Sequence, residues 1–427
     1  MILKVKPSQL SGSVQAPSSK SLSQRFIAAA LLASEPSRLF NYSECDDCTA
    51  AIQLALDLGG EIELAQSGIG ITPTEGGLPR PRTHELSAGE SGLSFRLFSA
   101  IAALSSEVLT LNAEGTLCNR PQQFVADGLN TLGACASLHN GKAPLSITDH
   151  IKGGEIELDG SISSQFLTGL LLALPYAEND SVVKVNNLVS RPYIEMTLEV
   201  MEMFDLDCKH TEEDGYDLFG IPGNQTAKGG DYVIDGDWSA AAALLTLGAL
   251  AGSPELEVTG IRGPFTQADF GIKGALLFAG YHLLGTDDGL QIKKKKPRAF
   301  NLDLTNSPDL FPVVAVLAGF GKKKSTLKGV SRLRGKESDR ALVLQSELAK
   351  AGITIELDGD SMSITPGKIK ACKIDSHGDH RIVMAAAIIG CAGAEVEIEG
   401  AECVSKSYPG FFDDLEALGA NISTANE

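Results

Sequence analysis

LDLGGEIEL, residues 56–64, holds the end of one helix and the start of one strand. An apolar helical run stops at Leu58. Gly59 suits the left-handed conformation that closes a helix, where a side chain would be strained. After Gly60, EIEL (61–64) alternates as a half-buried strand does.

The same junction recurs along the chain. Leu132-Gly133-Ala134 leads into CASL, Ala279-Gly280 into YHLL, Ala351-Gly352 into ITIEL and Leu418-Gly419 into ANIS. Gly59 and Gly133 are 74 residues apart, Gly280 and Gly352 are 72 apart, and Gly352 and Gly419 are 67 apart. The gap of 147 residues from Gly133 to Gly280 is two periods, and MEMFDLDCKH (201–210) fills it. There Phe204-Asp205 keeps the helix-to-strand pattern without the glycine. Six units of about 71 residues therefore fill the chain. Each unit holds a second, apolar helix: 21–33, 92–104, 165–174, 239–250, 310–319 and 380–392. The predicted class is α/β, built from repeated units of two helices and several strands.

At 427 residues the chain is too long for one ordinary core, so two domains are expected. The polar, Gly-rich stretch NQTAKGG (224–230) reads as a junction, ending the first half near residue 229. The formal net charge of −18 disfavours nucleic acid and anionic membrane surfaces as partners. An anionic ligand would need locally clustered Lys and Arg. The first residues lack an apolar core of signal-peptide length, and apolar stretches such as 382–394 fall short of a membrane span, so a cytoplasmic location is expected. Eight scattered cysteines fit reduced thiols. Cys45 and Cys48 form a lone C-x-x-C without a second pair, and no His/Cys cluster suggests a metal. The lysine runs 293–296 and 322–324 read as solvated turns.

Polar and charged residues gather where apolar helices begin. In APSSKSLSQR (16–25), Ser18 and Ser19 are good caps, Lys20 and Ser21 fall in the first turn, and Arg25 lies one turn on. Free N–H groups and the helix dipole favour an anion there. GESGLSFR (89–96) offers Gly92, where a ligand can approach the backbone, and Arg96. Arg120 precedes Pro121, and Ser163-Ser164-Gln165 opens another helix. Ser190-Arg191-Pro192-Tyr193 follows one strand later. In the second half, Asp309 follows Ser307-Pro308, and RGKESDR (334–340) precedes a helix. Gly378-Asp379-His380-Arg381 opens another, and Lys406 precedes the last. Taken alone, an isolated Arg is a surface residue, and an Asp such as Asp309 is a helix cap.

In combination these segments resemble the 5-enolpyruvylshikimate-3-phosphate (EPSP) synthase family of enolpyruvyl transferases. The resemblance runs nearly end to end. It is carried by SSKSLSQR (18–25), SSQFLTGLL (163–171), VSRPY (189–193), RGKESDR (334–340), GDHR (378–381) and SKSYPGFF (405–412). It implies two similar domains, 18–229 and 1–17 with 230–427. Each would be three β-α-β-α-β-β repeats in an inside-out barrel, with the active site in a cleft that closes on substrate. The implied reaction transfers the enolpyruvyl group of phosphoenolpyruvate to the 5-hydroxyl of shikimate 3-phosphate, without a cofactor or a metal. Lys20, Ser21, Arg25, Ser163, Ser164, Gln165, Ser190, Tyr193, Asp309 and Lys336 would hold shikimate 3-phosphate. Lys20, Gly92, Arg120, Gln165, Arg340, Arg381 and Lys406 would hold phosphoenolpyruvate. Asp309 would be the base, with Glu337 and Lys20 delivering and returning protons. A monomer is expected, with glyphosate as a candidate inhibitor.

Four positions depart from the family pattern. Glu90, Leu93 and Leu97 stand where members commonly have Asn, Thr and Pro, and these positions bear on glyphosate sensitivity. Arg332 stands where Asn is common, and either adds charge to the shikimate site or points outward. A related transferase acting on UDP-N-acetylglucosamine has Asn where this chain has Ser21, and a cysteine where it has Gly115. Cys118 is read as incidental. A non-catalytic anion binder on the same fold would not need Asp309 and Glu337 beside two anions.

Overall fold

The computed structural model describes residues 1–65, 68–74 and 76–424. The chain divides into two compact units, one of Ser18–Ile234 and one of Met1–Pro17 with Asp235–Glu427. The junction falls a few residues beyond 229. Asp231–Val233 pairs in parallel with Ser37–Phe40, which keeps it with the first unit.

Six four-stranded sheets repeat one topology. In the clearest copy, Gly154–Asp159 pairs in parallel with Ser181–Asn186. Tyr216–Ile221 then adds antiparallel to Ser181–Asn186, and Lys209–Glu213 lies at the edge. Helices Ser164–Ala173 and Arg191–Met203 make the crossovers. The same β-α-β-α-β-β order runs unbroken through 85–147 and 301–365. The other three sheets borrow a strand from elsewhere in the chain. Asp231–Val233 completes the first. Leu10–Gln15 pairs with Gly252–Thr259, and Ile2–Lys6 inserts between Val396–Glu399 and Asn421–Thr424.

The junction glycines behave as their sequence context predicts. Gly59, Gly133, Gly280, Gly352 and Gly419 have φ of 107°, 103°, 90°, 92° and 100°. The sixth junction uses Asp205, at φ 57°. Aspartate tolerates this region better than most L-residues because its short side chain bonds locally.

The first helix of each repeat is buried nearly all round. In Trp238–Ala251 all residues but Ser239 are buried. Such a helix cannot face water on any side. Within the first unit, Gly169 lets helix Ser164–Ala173 press onto Gly92–Ala102, since a Cβ there would sit 2.9 Å from the Leu97 Cα. Within the second, Trp238–Ala251, Phe311–Gly319 and His380–Ala392 share one apolar cluster. The second helix of each repeat is amphipathic and covers its sheet, and the lysine runs are exposed. Each unit thus packs three buried helices at its centre. Among the described residues no helix is long and apolar enough to cross a membrane.

Candidate active site

Each unit carries a cluster of polar side chains at these helix starts. In the first, Ser19 caps helix Lys20–Leu31 by accepting from the Leu22 N–H. Lys20 in the first turn reaches Asp47, with Nζ 2.8 Å from Oδ2. Both side chains are largely buried, so this ion pair is shielded from bulk water.

Arg25 is fully buried. It donates to the Ser21 carbonyl at 2.7 Å, Thr197 Oγ1 at 3.0 Å, the Tyr193 carbonyl at 3.1 Å and Thr168 Oγ1 at 3.2 Å. All four acceptors are neutral, and no carboxylate pairs with Arg25 among the described residues. Burial pulls its guanidinium down to about 10. An arginine buried without a counter-charge is set for an incoming anion.

Ser91 caps helix Gly92–Ala102 by accepting from the Ser94 N–H. A Cβ on Gly92 would lie 3.1 Å from Arg120 Nη1, 3.6 Å from Arg96 Nη1 and 3.7 Å from Gln165 Oε1. Those three side chains therefore converge on one bare stretch of backbone. Arg96 donates to Gln165 Oε1 at 2.6 Å and to Gln122 Oε1 at 3.1 Å, which fixes Gln165. Ser163 caps the helix that begins at Ser164, accepting from the Gln165 N–H. Ser190, at φ 58°, is buried ahead of Arg191–Met203. Its neighbour Arg191 is taken up by Asp217, at 2.7 and 2.8 Å. The first unit thus gathers Ser21, Arg25 and Tyr193 around one set of contacts, and Gly92, Arg120 and Gln165 around another, while Lys20 pairs with Asp47.

In the second unit Lys336, Arg340 and Arg381 meet around one carboxylate. Asp309 Oδ1 accepts from Arg340 Nη1 at 2.8 Å and lies 3.3 Å from Lys336 Nζ. Its Oδ2 accepts from Arg381 Nη2 at 3.1 Å. Arg340 is wholly buried and also grips Glu337 at 2.7 Å and Asp379 at 2.9 Å. Asp379 meanwhile caps helix His380–Ala392. Lys406 is buried at the end of the turn Ala401–Lys406. Burial alone would raise the Asp309 carboxyl, but Arg381, Lys336 and Arg340 outweigh it and hold the group well below the usual range. Burial lowers Lys336, with Asp309 opposing. Burial would also lower Arg340, yet its three carboxylates hold it above the ordinary range.

Several partners were not singled out by sequence. Asp47, Gln122 and Thr197 belong to the site only through contacts made in space. Arg96 and Asp379 stand in quoted motifs, yet only their contacts show what they hold in place. The departures have structural reasons. Leu97 is fully buried and Leu93 nearly so, and both pack as core. Glu90 folds over Gly115: a Cβ there would sit 2.0 Å from Glu90 Oε1, and Gly115 has φ 50°. Arg332 is half-buried; burial lowers its guanidinium, and the Asp309 charge opposes that. Cys118 is engaged by its own loop, with Sγ 3.0 Å from the Ala113 carbonyl.

The family model for EPSP synthase (3-phosphoshikimate 1-carboxyvinyltransferase) matches residues 4–415. The chain belongs to the EPSP synthase family. Among its relatives, the 3-phosphoshikimate 1-carboxyvinyltransferase of Korarchaeum cryptofilum is 36% identical over 430 residues, covering 99% of each chain. That of Methanocorpusculum labreanum is 34% identical over 425 residues, again covering 99% of each. In fold, the chain is similar to EPSP synthase from Acinetobacter baumannii, with a TM-score of 0.82 at 24% identity, covering 99% of this chain and 100% of that one. An enolpyruvyl transferase from Streptomyces tendae shares the fold at a TM-score of 0.75 and 16% identity, covering 99% and 98%. The α/β class expected of an EPSP synthase is thus the observed one.

Proposed function

We propose that the protein is a 3-phosphoshikimate 1-carboxyvinyltransferase in which the two clusters serve one reaction. The observation that carries this reading is Asp309 held by Lys336, Arg340 and Arg381, with Glu337 on the same arginine. Acid–base groups are interleaved with cations that two anionic substrates require. The 5-hydroxyl of shikimate 3-phosphate adds to C2 of phosphoenolpyruvate as C3 gains a proton. The tetrahedral adduct then loses phosphate from C2 and a proton from C3.

Asp309 and Glu337 occupy guanidinium faces that a substrate carboxylate or phosphate would use. A carboxyl so strongly clamped is a poor base. When phosphoenolpyruvate takes Arg340 and Arg381, Asp309 loses those partners and its proton affinity rises, which suits a base for the hydroxyl. Glu337 and Lys20 serve as the proton carriers at C3. Arg25 with Ser21, Ser163, Ser164, Ser190 and Tyr193 holds shikimate 3-phosphate, and Gly92, Arg120, Gln165 and Lys406 help to hold phosphoenolpyruvate. Glyphosate would compete at that second set.

Gly115 argues against the transferase that uses UDP-N-acetylglucosamine. A cysteine there would collide with Glu90 and strain the backbone. The test is phosphate release from phosphoenolpyruvate with shikimate 3-phosphate. No release, with turnover of UDP-N-acetylglucosamine instead, would refute the proposal. Binding of both ligands without turnover would favour an anion-binding protein.

A further inference from the structure

The turn Ala268–Gly271 lies in the second unit and has no part in the reading above. It is tied on two sides. Towards helix Trp238–Ala251, the Trp238 N–H donates to Gln267 Oε1 at 3.1 Å, and the Gln267 amide donates to the Gly236 carbonyl at 2.8 Å. The Ser239 hydroxyl donates to Asp269 Oδ2. Towards Asp309, Ser307 Oγ donates to the Ala268 carbonyl at 2.7 Å.

Asp269 itself is 2% exposed, and its Oδ1 has no hydrogen-bond partner among the described residues. A buried carboxylate oxygen left unbonded is costly and calls for an explanation. The Ser239 hydroxyl bonds it, and the charges that act on it are those of Arg381, Asp309 and Asp237. Burial and the two carboxylates favour the protonated form, while Arg381 and Ser239 favour the charged one. Arg381 is also the guanidinium that Asp309 shares.

We propose that Asp269 is a positioning residue whose own charge sets how much of the Arg381 charge is left for an anionic substrate. The inference rests on the reading that phosphoenolpyruvate binds at Arg381. Burial holds the Asp269 carboxyl up to about 6, with Arg381 opposing. Below that pH the group is neutral, and Arg381 answers to Asp309 and the ligand alone. Above it, a second carboxylate draws on the same guanidinium. The proton passes between the carboxyl and solvent, and no bond to substrate is involved. One unit charge acting on a shared guanidinium changes anion affinity by about tenfold.

The test follows the KM for phosphoenolpyruvate from about pH 5 to about pH 8 in the wild type, Asp269→Asn and Ser239→Ala. Ionisation of the substrate is common to all three. The wild-type KM is expected to rise about tenfold more than that of Asp269→Asn as pH increases. In Ser239→Ala the rise should move to higher pH, because the lost hydrogen bond favoured the charged carboxyl. An Asp269→Asn curve parallel to the wild type overturns the proposal, as does an unmoved rise in Ser239→Ala. A merely structural defect would lower kcat at every pH and leave the rise in place. If Asp269→Asn fails to fold, Ser239→Ala decides. Wild-type protein that releases no phosphate at any pH would refute the functional reading instead. Calorimetric titration with inorganic phosphate, wild type against Asp269→Asn, would then judge Asp269 by itself: a pH-dependent affinity lost in Asp269→Asn supports it, and identical profiles overturn it.

Discussion

Replacing Arg25 with methionine should weaken ligand binding without weakening the fold. Arg25 is fully buried and bonds only to neutral oxygens. Burial pulls it down to about 10, which corresponds to about 3 kcal/mol of penalty on the charged form. Removing the guanidinium removes that penalty. It also removes four hydrogen bonds, but the acceptors are not all stranded. Thr168 and Thr197 lie 3.1 Å apart by their hydroxyls, and Thr197 donates to the Tyr193 carbonyl at 2.8 Å. The methionine fills much of the same volume. The net change in stability should be between zero and roughly 2 kcal/mol in favour of the variant. The loss in binding should be larger, because two charge-assisted hydrogen bonds to a phosphate are worth about 3 kcal/mol together, on the order of a hundredfold in affinity. Urea denaturation gives the first quantity, and calorimetric titration with shikimate 3-phosphate gives the second. A variant that loses about 3 kcal/mol of stability yet keeps its affinity would refute the reasoning, because Arg25 would then be a structural bolt.

Other perturbations test neighbouring parts of the structure. Gly92→Ala places a methyl 3.1 Å from Arg120 Nη1, so the KM for phosphoenolpyruvate should rise by roughly tenfold with the melting temperature nearly unchanged. Gly115→Ala, clashing with Glu90 at positive φ, should cost about 1–3 kcal/mol in denaturant unfolding, and adding Glu90→Ala should recover part of it. Asp205→Gly, at the one junction lacking the residue used by the other five, should stabilise by about 0.5–1 kcal/mol in the same assay. Burial would raise the Glu347 carboxyl, but Lys350, the Asp375 N–H and His377 hold it below its ordinary value. Its contribution is therefore present above the unfolded pKa of about 4.5 and lost as pH falls. Glu347→Gln should flatten the acid side of a plot of melting temperature against pH.

The repeat was legible because each copy must close one helix with a left-handed residue, and glycine advertises that position. Even Asp205 could be located by its spacing. The membership of strands was less visible. Nothing in residues 2–6 or 10–15 says which sheet they complete, because an alternating strand specifies a buried face and no particular neighbour. The end of the first unit was set a few residues early for a related reason. NQTAKGG looks like a linker, but Asp231–Val233 just beyond it pairs with Ser37–Phe40. At the site, the cations were conspicuous because Lys and Arg at helix starts are unusual. Of the carboxylates around them, Asp309 and Glu337 stood out in their motifs, but the others did not. Asp47, Asp269 and Asp379 sit at or near the starts of helices or turns, where aspartate is ordinary. Only burial and proximity distinguish them from solvated caps.

The borrowed strands also impose an order on biosynthesis. All three sheets of the first unit lie within 18–234, so this unit can be completed while the ribosome is still making the remainder. Ile2–Lys6 and Leu10–Gln15 leave the ribosome well before their partners Val396–Glu399, Asn421–Thr424 and Gly252–Thr259. During that interval two short strands present unpaired backbone edges, which invite pairing with the wrong chain. Lys4 and Lys6 on the first and the polar SGS of the second give that waiting segment some protection. A bulky fusion placed beside Ile2–Lys6 would burden this late step, and its cost should appear as a lower soluble yield of newly made protein, with little change in the stability of what has already folded.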